Sequence, residues 1–311
     1  MKKIFIQFIT LFTATVLWSQ QDVQYTQYMY NMSVINPAYT TGTLGVYNLG
    51  ALYRTQWVGV KGAPTSTNIF AHTPINEQIE VGFTFVNDNI GNIVKENNIF
   101  ADFAYKLNLE EYGQLSFGLK AGASFFNADL TSLNLESGSG NTDPNFSENI
   151  QESKFNIGAG VFYNKDNYYV GFSVPYILNE KHYINENGRY ENLKKAHFYL
   201  TGGYVFDINS EFKLKPSFMA KAVNGAPIAL DLNANVLYQD RLELGVGYRL
   251  NDAVVGMVNF GVTPKLRIGY AYDYTLAKLQ AFSSGSHEFL LLYNLDQFNL
   301  NNGFDKSPRF F

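Results

Sequence analysis

Residues 241–250 read RLELGVGYRL and residues 264–275 read PKLRIGYAYDYT. In the first stretch Leu242, Leu244, Val246, Tyr248 and Leu250 alternate with Glu243, Gly245, Gly247 and Arg249. In the second, Leu266, Ile268, Tyr270, Tyr272 and Tyr274 alternate with Arg267, Gly269 and Asp273. Successive side chains of a strand point to opposite faces. Each stretch therefore has one apolar face and one face that carries every charge. The division recurs at 97–108, where Ile99, Ala101, Phe103, Tyr105 and Leu107 oppose Asp102 and Lys106. It recurs again at 211–222, where Phe212, Leu214, Phe218 and Ala220 oppose Lys213, Lys215, Ser217 and Lys221. A cationic side chain facing the middle of a bilayer costs roughly 2–4 kcal/mol, and these four apolar faces carry none.

Outward from these stretches the same habit predicts strands at 44–57, 66–75, 79–87, 97–108, 114–126, 154–164 and 167–176. It continues at 195–207, 211–222, 227–239, 241–250, 252–260, 264–275 and 286–295. The last is the least regular, because Leu290 and Leu292 share the parity of Glu288. A soluble sandwich also alternates, so three further features decide. Lengths of about 9–11 residues suit a tilted membrane crossing, whereas globular strands average about 5–6. Tyrosines gather toward the ends of apolar faces (Tyr105, Tyr163, Tyr168, Tyr204, Tyr238, Tyr248, Tyr274, Tyr293), as an interfacial girdle requires. Connections after even strands are all short (76–78, 108–114, 164–167, 207–211, 239–241, 260–264). Those after odd strands include the long ones (58–65, 88–96, 127–153, 177–194, 276–285). The expectation is an all-β, transmembrane, antiparallel up-and-down β-barrel of about 14 strands, with short periplasmic turns and longer extracellular loops. An even strand count then puts both termini in the periplasm of a Gram-negative bacterium.

The rest of the chain divides around this barrel, expected over 44–295. Lys2 and Lys3 precede a mostly apolar run from Ile4 to Trp18 and then Ser19, Gln20 and Gln21, so 1–20 reads as a signal peptide removed on export. No later run is long and apolar enough for a membrane helix. Residues 21–43 form a polar N-terminal segment, periplasmic or serving as a plug, and 296–311 form a periplasmic tail. About 14 strands enclose a lumen too wide for wall side chains to fill. Water, a plug or a partner's segment must occupy it, and 21–43 is the natural plug.

Composition narrows the chemistry. Charged residues make up 16% of the chain, Tyr and Phe number 22 and 26, and there is no Cys, so structural zinc and disulfides are not expected. His72, His182, His197 and His287 stand at no metal-ligand spacing. The loop 137–145 offers one carboxylate, too few for calcium. No glycine-rich phosphate loop precedes a helix and no G-x-S-x-G elbow occurs. The net charge of −4 gives no basic face for nucleic acid. No enzyme activity, cofactor or metal is expected. Asp102, Lys106, Lys120, Asp231, Arg249, Arg267 and Asp273 read as an internally paired, hydrated wall.

Gln27-Tyr-Met-Tyr-Asn31, then Asn36-Pro-Ala-Tyr39 and Gly42, resemble the opening of the PorP/SprF family of the Bacteroidetes type IX secretion system. The resemblance continues through Tyr53-Arg-Thr-Gln-Trp57 and Gly62-Ala-Pro-Thr65 to Ser286-His-Glu288 and Pro308-Arg-Phe-Phe311. It covers essentially the whole mature chain. One departure is local: the family usually has one residue between the Tyr and the Gly, and here Thr40 and Thr41 intervene. Membership implies an outer-membrane part of the secretion and gliding machinery. Such a protein either contacts periplasmic ring proteins or engages the C-terminal sorting domain of a surface adhesin, exporting or anchoring it.

On parity alone Arg54 and Gln56 follow Asn48 and Gly50 toward the lumen, where they could hold the N-terminal segment. Trp57 has the opposite parity and suits the lipid boundary. Asn36-Pro37 reads as a turn that aims the incoming chain at the first strand. Asn36, Pro37, Tyr39, Arg54, Gln56 and Trp57 are thus the expected partner or plug contacts, or else they fix the barrel's entry and closure. Two rival functions remain open: an outer-membrane porin or hydrophobic-solute transporter, and a secreted carbohydrate-binding sandwich.

Overall fold

A computed structural model describes residues 24–40, 42–135, 138–139, 148–178, 180–181, 193–194 and 196–296. The expected signal peptide, most of the tail after 295, and parts of the 127–153 and 177–194 connections lie outside them. The wall strands are β1 (Val46–Thr55), β2 (Thr65–Pro74), β3 (Ile79–Ile90), β4 (Val94–Asn108), β5 (Gln114–Ala128), β6 (Ile150–Lys165) and β7 (Tyr168–Val174). They continue as β8 (His197–Tyr204, prolonged by Phe206–Asp207), β9 (Phe212–Val223), β10 (Ala229–Tyr238), β11 (Leu242–Arg249), β12 (Ala253–Thr263), β13 (Leu266–Thr275) and β14 (Ser286–Asp296).

Each strand pairs antiparallel with the next, and β14 returns to β1 in a register running from Val46↔Asp296 to Thr55↔His287. The result is a closed 14-stranded up-and-down barrel. Closure leaves no sheet edge around the ring, as an environment without water demands of every backbone N–H and C=O. Regular α-helix among the described residues is one turn, Met32–Ile35. No described helix is long and apolar enough to cross a membrane.

The alternation governs which way each side chain points. On β4, Phe100, Asp102, Ala104 and Lys106 are buried, while Ile99, Phe103, Tyr105 and Leu107 are exposed on the outside. On β14, Ser286, Glu288, Leu290 and Leu292 are buried, and Phe289, Leu291, Tyr293 and Leu295 face out. That settles the irregular strand: Leu290 and Leu292 do face the lumen, because the lumen holds apolar side chains for them to meet. Outside, rings gather into a band at the rim of the even-numbered connections. Tyr168 stacks on Tyr204 at 6.2 Å, Tyr204 meets Phe206 at 4.4 Å, and Phe212 meets Tyr238 at 4.8 Å.

The expected long connection at 88–96 is corrected by the structure. β3 and β4 run on and meet at a tight turn, with Gly91 at φ 65° and Asn92 at φ 59°. Two successive positive φ angles, with the Ile93 N–H donating to Ile90 O at 3.2 Å, close a three-residue connection between the register partners Ile90 and Val94, and the Asn87 amide donates to Asn97 across it at 2.8 Å. The period of two persists through this polar stretch, so the wall continues where polarity alone suggested a loop. β4, β5 and β6 are 15, 15 and 16 residues long, against 7 for β7. One side of the barrel therefore stands taller at the rim of the odd-numbered connections.

Candidate functional site

Residues 25–40 are all buried, inside the ring. Their large side chains (Tyr25, Tyr28, Met29, Tyr30, Met32, Ile35 and Tyr39) share one apolar core with Leu52, Phe70, Phe162, Met219, Met257, Leu290 and Leu292 from the wall. Fully burying an aliphatic or aromatic side chain is worth about 1.5–3 kcal/mol. The segment and the lumen face thus supply each other's hydrophobic contacts.

Three sets of polar contacts fix the path. The first is a charge network near the rim of the odd-numbered connections. Glu288 accepts from the backbone N–H of Thr26 at 2.8 Å and of Gln27 at 2.7 Å. The Thr26 hydroxyl donates to Asp273 at 2.7 Å and accepts from Arg54 Nη1 at 2.8 Å. Arg54 also reaches Asp273 at 2.7 Å and Glu288 at 3.2 Å, and Arg249 joins Asp273 and Asp231 at 3.2 Å each. Gln24 donates to Asp231 at 3.1 Å.

The second set lies lower. Tyr28 accepts from Asn233 at 3.2 Å, and Tyr30 donates to Glu243, which also holds Asn235. In the third set Lys120 donates to the carbonyls of Ser33 at 3.2 Å and Val34 at 3.0 Å, where the single helical turn leaves acceptors unsatisfied.

The Asn36–Tyr39 turn sits in a groove made by the absence of side chains. Asn36 Oδ1 accepts from the N–H of Ala38 at 2.9 Å, and its amide donates to the Val161 carbonyl at 3.1 Å. A Cβ on Gly118 would come within 2.2 Å of the Pro37 and Ala38 backbone, and one on Gly160 within 2.1 Å of the Asn36 side chain. Gly118 and Gly160 are register partners on β5 and β6. Tyr39 closes the groove edge-on against Phe162, with ring centres 5.3 Å apart.

The segment's direction follows from these partners. Gln24 and Thr26 meet Asp231, Asp273, Arg54 and Glu288, each within three residues of a strand end at the odd-connection rim. Tyr30 meets Glu243 near the opposite end of β11, and Thr40 meets Ser116 near the same end of β5. The chain descends, turns up through Met32–Ile35, and descends again into β1. The wall's own ends, Val46 and Asp296, pair at the even-connection rim, but Gln24 lies toward the other one.

Of the expected contacts, the structure brings Asn36, Pro37, Tyr39 and Arg54 to the interface between segment and wall. Gln56 and Trp57 lie past the end of β1 and make no hydrogen bond to the segment among the described residues. The Gln56 N–H donates to Pro64 O at 2.9 Å, closing the 56–64 connection. Trp57 takes a left-handed backbone, φ 45°, and its N–H donates to Ser286 at 3.1 Å. Sequence reading missed Thr26, Glu288 and the Gly118–Gly160 groove. The inward parity of the two glycines was the available signal.

Among the described residues no group of three metal-binding side chains converges. No curated protein sequence matches the chain. Solved barrels of low similarity include Omp33 of Acinetobacter baumannii (10% identity, 82% of this chain and 100% of that one, TM-score 0.45). A Pseudomonas aeruginosa FadL homologue (13%, 85% and 93%, TM-score 0.47) and the CymD monoaromatic hydrocarbon channel (10%, 87% and 91%, TM-score 0.46) are comparably distant. The family model described as type IX secretion system membrane protein PorP/SprF matches residues 18–293. With nearly the whole barrel inside that match, the chain belongs to the PorP/SprF family of type IX secretion system membrane proteins, an outer-membrane barrel by fold.

Proposed function

We propose that this protein is a closed, non-enzymatic docking component of the type IX machinery. It engages a secreted adhesin through the adhesin's C-terminal sorting domain and exports it or holds it at the cell surface. In this reading a cleaved signal at 1–20 delivers the chain to the outer membrane. The even-numbered connections and both wall ends face the periplasm, and the tall wall of β3–β6 faces outward. Asn36, Pro37, Tyr39 and Arg54 keep the lumen closed from within, while Gln56 and Trp57 shape the outer mouth.

The observation that carries the reading is the occupied lumen. Residues 25–40 are buried throughout, and the segment is tied to the wall by a buried network of two arginines and three carboxylates. An open porin has a water-filled lumen, and here residues 25–40 stand inside the ring. A barrel fold alone does not imply a function, so family membership supplies the rest.

The test is a mild-detergent extraction of native outer membranes through an affinity tag placed between Glu148 and Asn149, with co-purifying proteins identified by mass spectrometry. Recovery of a secreted adhesin, or its sorting domain, is the expected result. Periplasmic ring proteins in its place would assign the barrel to the core machine. The barrel alone, from a preparation that keeps other membrane complexes intact, would overturn the docking reading.

A further inference from the structure

β6 outgrows its neighbour on one side. β6 and β7 pair from Lys165↔Tyr168 up to Ala159↔Val174. Pro175 then ends β7, lying so close that a Cβ on Gly158 of β6 would come within 2.3 Å of its carbonyl oxygen. The chain reaches a little higher: the Ile177 N–H donates to Ile157 O at 2.8 Å, and Leu178 exchanges hydrogen bonds with the Asn156 side chain at 3.1 and 3.0 Å. Above Asn156 the ladder to β5 runs on to Ala128↔Ile150. On its other side β6 pairs there with no strand among the described residues. The described parts of the next connection, Glu180–Lys181 and Leu193–Lys194, pair with each other instead.

In an antiparallel ladder alternate residues turn both N–H and C=O toward the same neighbour. Ile157 turns its carbonyl to the β7 side, and the β5–β6 register has no shift. Phe155, Ser153 and Gln151 therefore turn two backbone groups each, six in all, toward the open side. This edge stands above the bilayer. Phe155, Ala123 and Ile99 form an apolar row on the outer face, and two outward positions higher the row reads Gln151, Asn127 and Lys95. A cation on that face marks water and not lipid. A bare edge is a template for another strand, and native edges are blunted by Pro, a bulge or charge. Residues 150–156 contain no Pro and no bulge, and their one cation, Lys154, is paired with Glu152 of the same strand at 3.5 Å. The side chains beside the open groups, Gln151, Ser153 and Phe155, are uncharged and exposed.

The floor of the slot limits what enters it. A second copy of this barrel does not fit, because its own β6 runs on through the membrane and its lower half would overlap β7. The occupant is a strand with a free course in water that ends or bends above Pro175. From Gln151 to Phe155 is about 14 Å, the span of about five extended residues. We propose that this edge receives an extended, uncharged segment of the secreted partner, which adds to β6 as one more strand by β-augmentation. The proposal rests on the docking reading above, which also supplies the outward orientation of this rim.

Ser153→Pro tests the edge selectively. Position 153 turns its N–H to the open side, so proline removes a donor there and leaves the ladder to β5 intact. With the affinity tag moved to the C-terminal end of the chain, away from β6, this variant is expected to lower recovery of the secreted partner by about tenfold or more, the worth of one or two hydrogen bonds. Ser153→Ala keeps the backbone donor and is expected to recover the partner at the wild-type level. A photo-reactive residue in place of Gln151 is expected to cross-link to that partner, and it tests the edge even if the proline variant does not fold. Undiminished recovery by a folded Ser153→Pro barrel, or an equal loss in Ser153→Ala, overturns the inference and leaves the docking reading standing. So does a barrel that recovers the partner while 151 cross-links only to the barrel's own chain or to nothing. A wild-type barrel recovered alone overturns both.

Discussion

Arg54 meets Thr26, Asp273 and Glu288 at once, in an interior where none of the four is exposed by more than a few per cent. Removing one partner of a buried ion pair strands the others and costs about 3–5 kcal/mol. Arg54→Ala leaves Asp273 with Arg249 but leaves Glu288 without a cation. A destabilisation of about that size is expected in detergent unfolding, and adding Glu288→Gln should recover part of it. A loss under 1 kcal/mol would show that the network does not hold the segment. Gly118 makes a second residue-scale test. In this Cys-free chain, Ala38→Cys is expected to resist maleimide, because Ala38 is 0% exposed. Adding Gly118→Val should make it reactive, since the new side chain displaces the Pro37–Ala38 turn. The inward aim of Arg54 was legible from parity. Its acceptors were not, because Asp273 and Glu288 lie 219 and 234 residues away and only ring closure brings them near. Parity also fails at Gln56 and Trp57, where the strand has ended and a φ of 45° breaks the alternation.

At the scale of the elements, alternation located every wall strand, because in lipid a strand must separate its apolar and polar faces along its length. It misjudged the extent of β3 and β4. Their upper halves are polar on both faces, as at Asn87, Asp88, Asn97 and Asn98, and so resemble loop in composition while remaining strand in period. The Gly91–Asn92 pair was the signal for a hairpin there. Connection lengths also carry the proposed orientation, which single cysteines can test. Glu148→Cys, at the long-connection rim, is expected to react with a membrane-impermeant maleimide on intact cells. Glu77→Cys, in the 75–78 turn, should react only after the outer membrane is permeabilised. The reverse pattern would invert the barrel.

For the molecule as a whole, a ring of 14 strands is wide enough to stay open, and what it contains decides what it can do. The polar character of 21–43 suggested a lumen segment, but its path could not be read from sequence. Its anchors are scattered from Arg54 to Glu288, and the glycine groove that seats its turn exists only once β5 and β6 pair. Planar-bilayer conductance of the purified barrel, with and without residues 24–40, probes the filled lumen most directly, with heat-modifiable migration confirming that both forms are folded. The intact protein is expected to show no steady conductance, and the deletion a stable, large-conductance pore. Equal, steady conductance from the two folded forms would contradict a closed barrel and return the solute channel to first place.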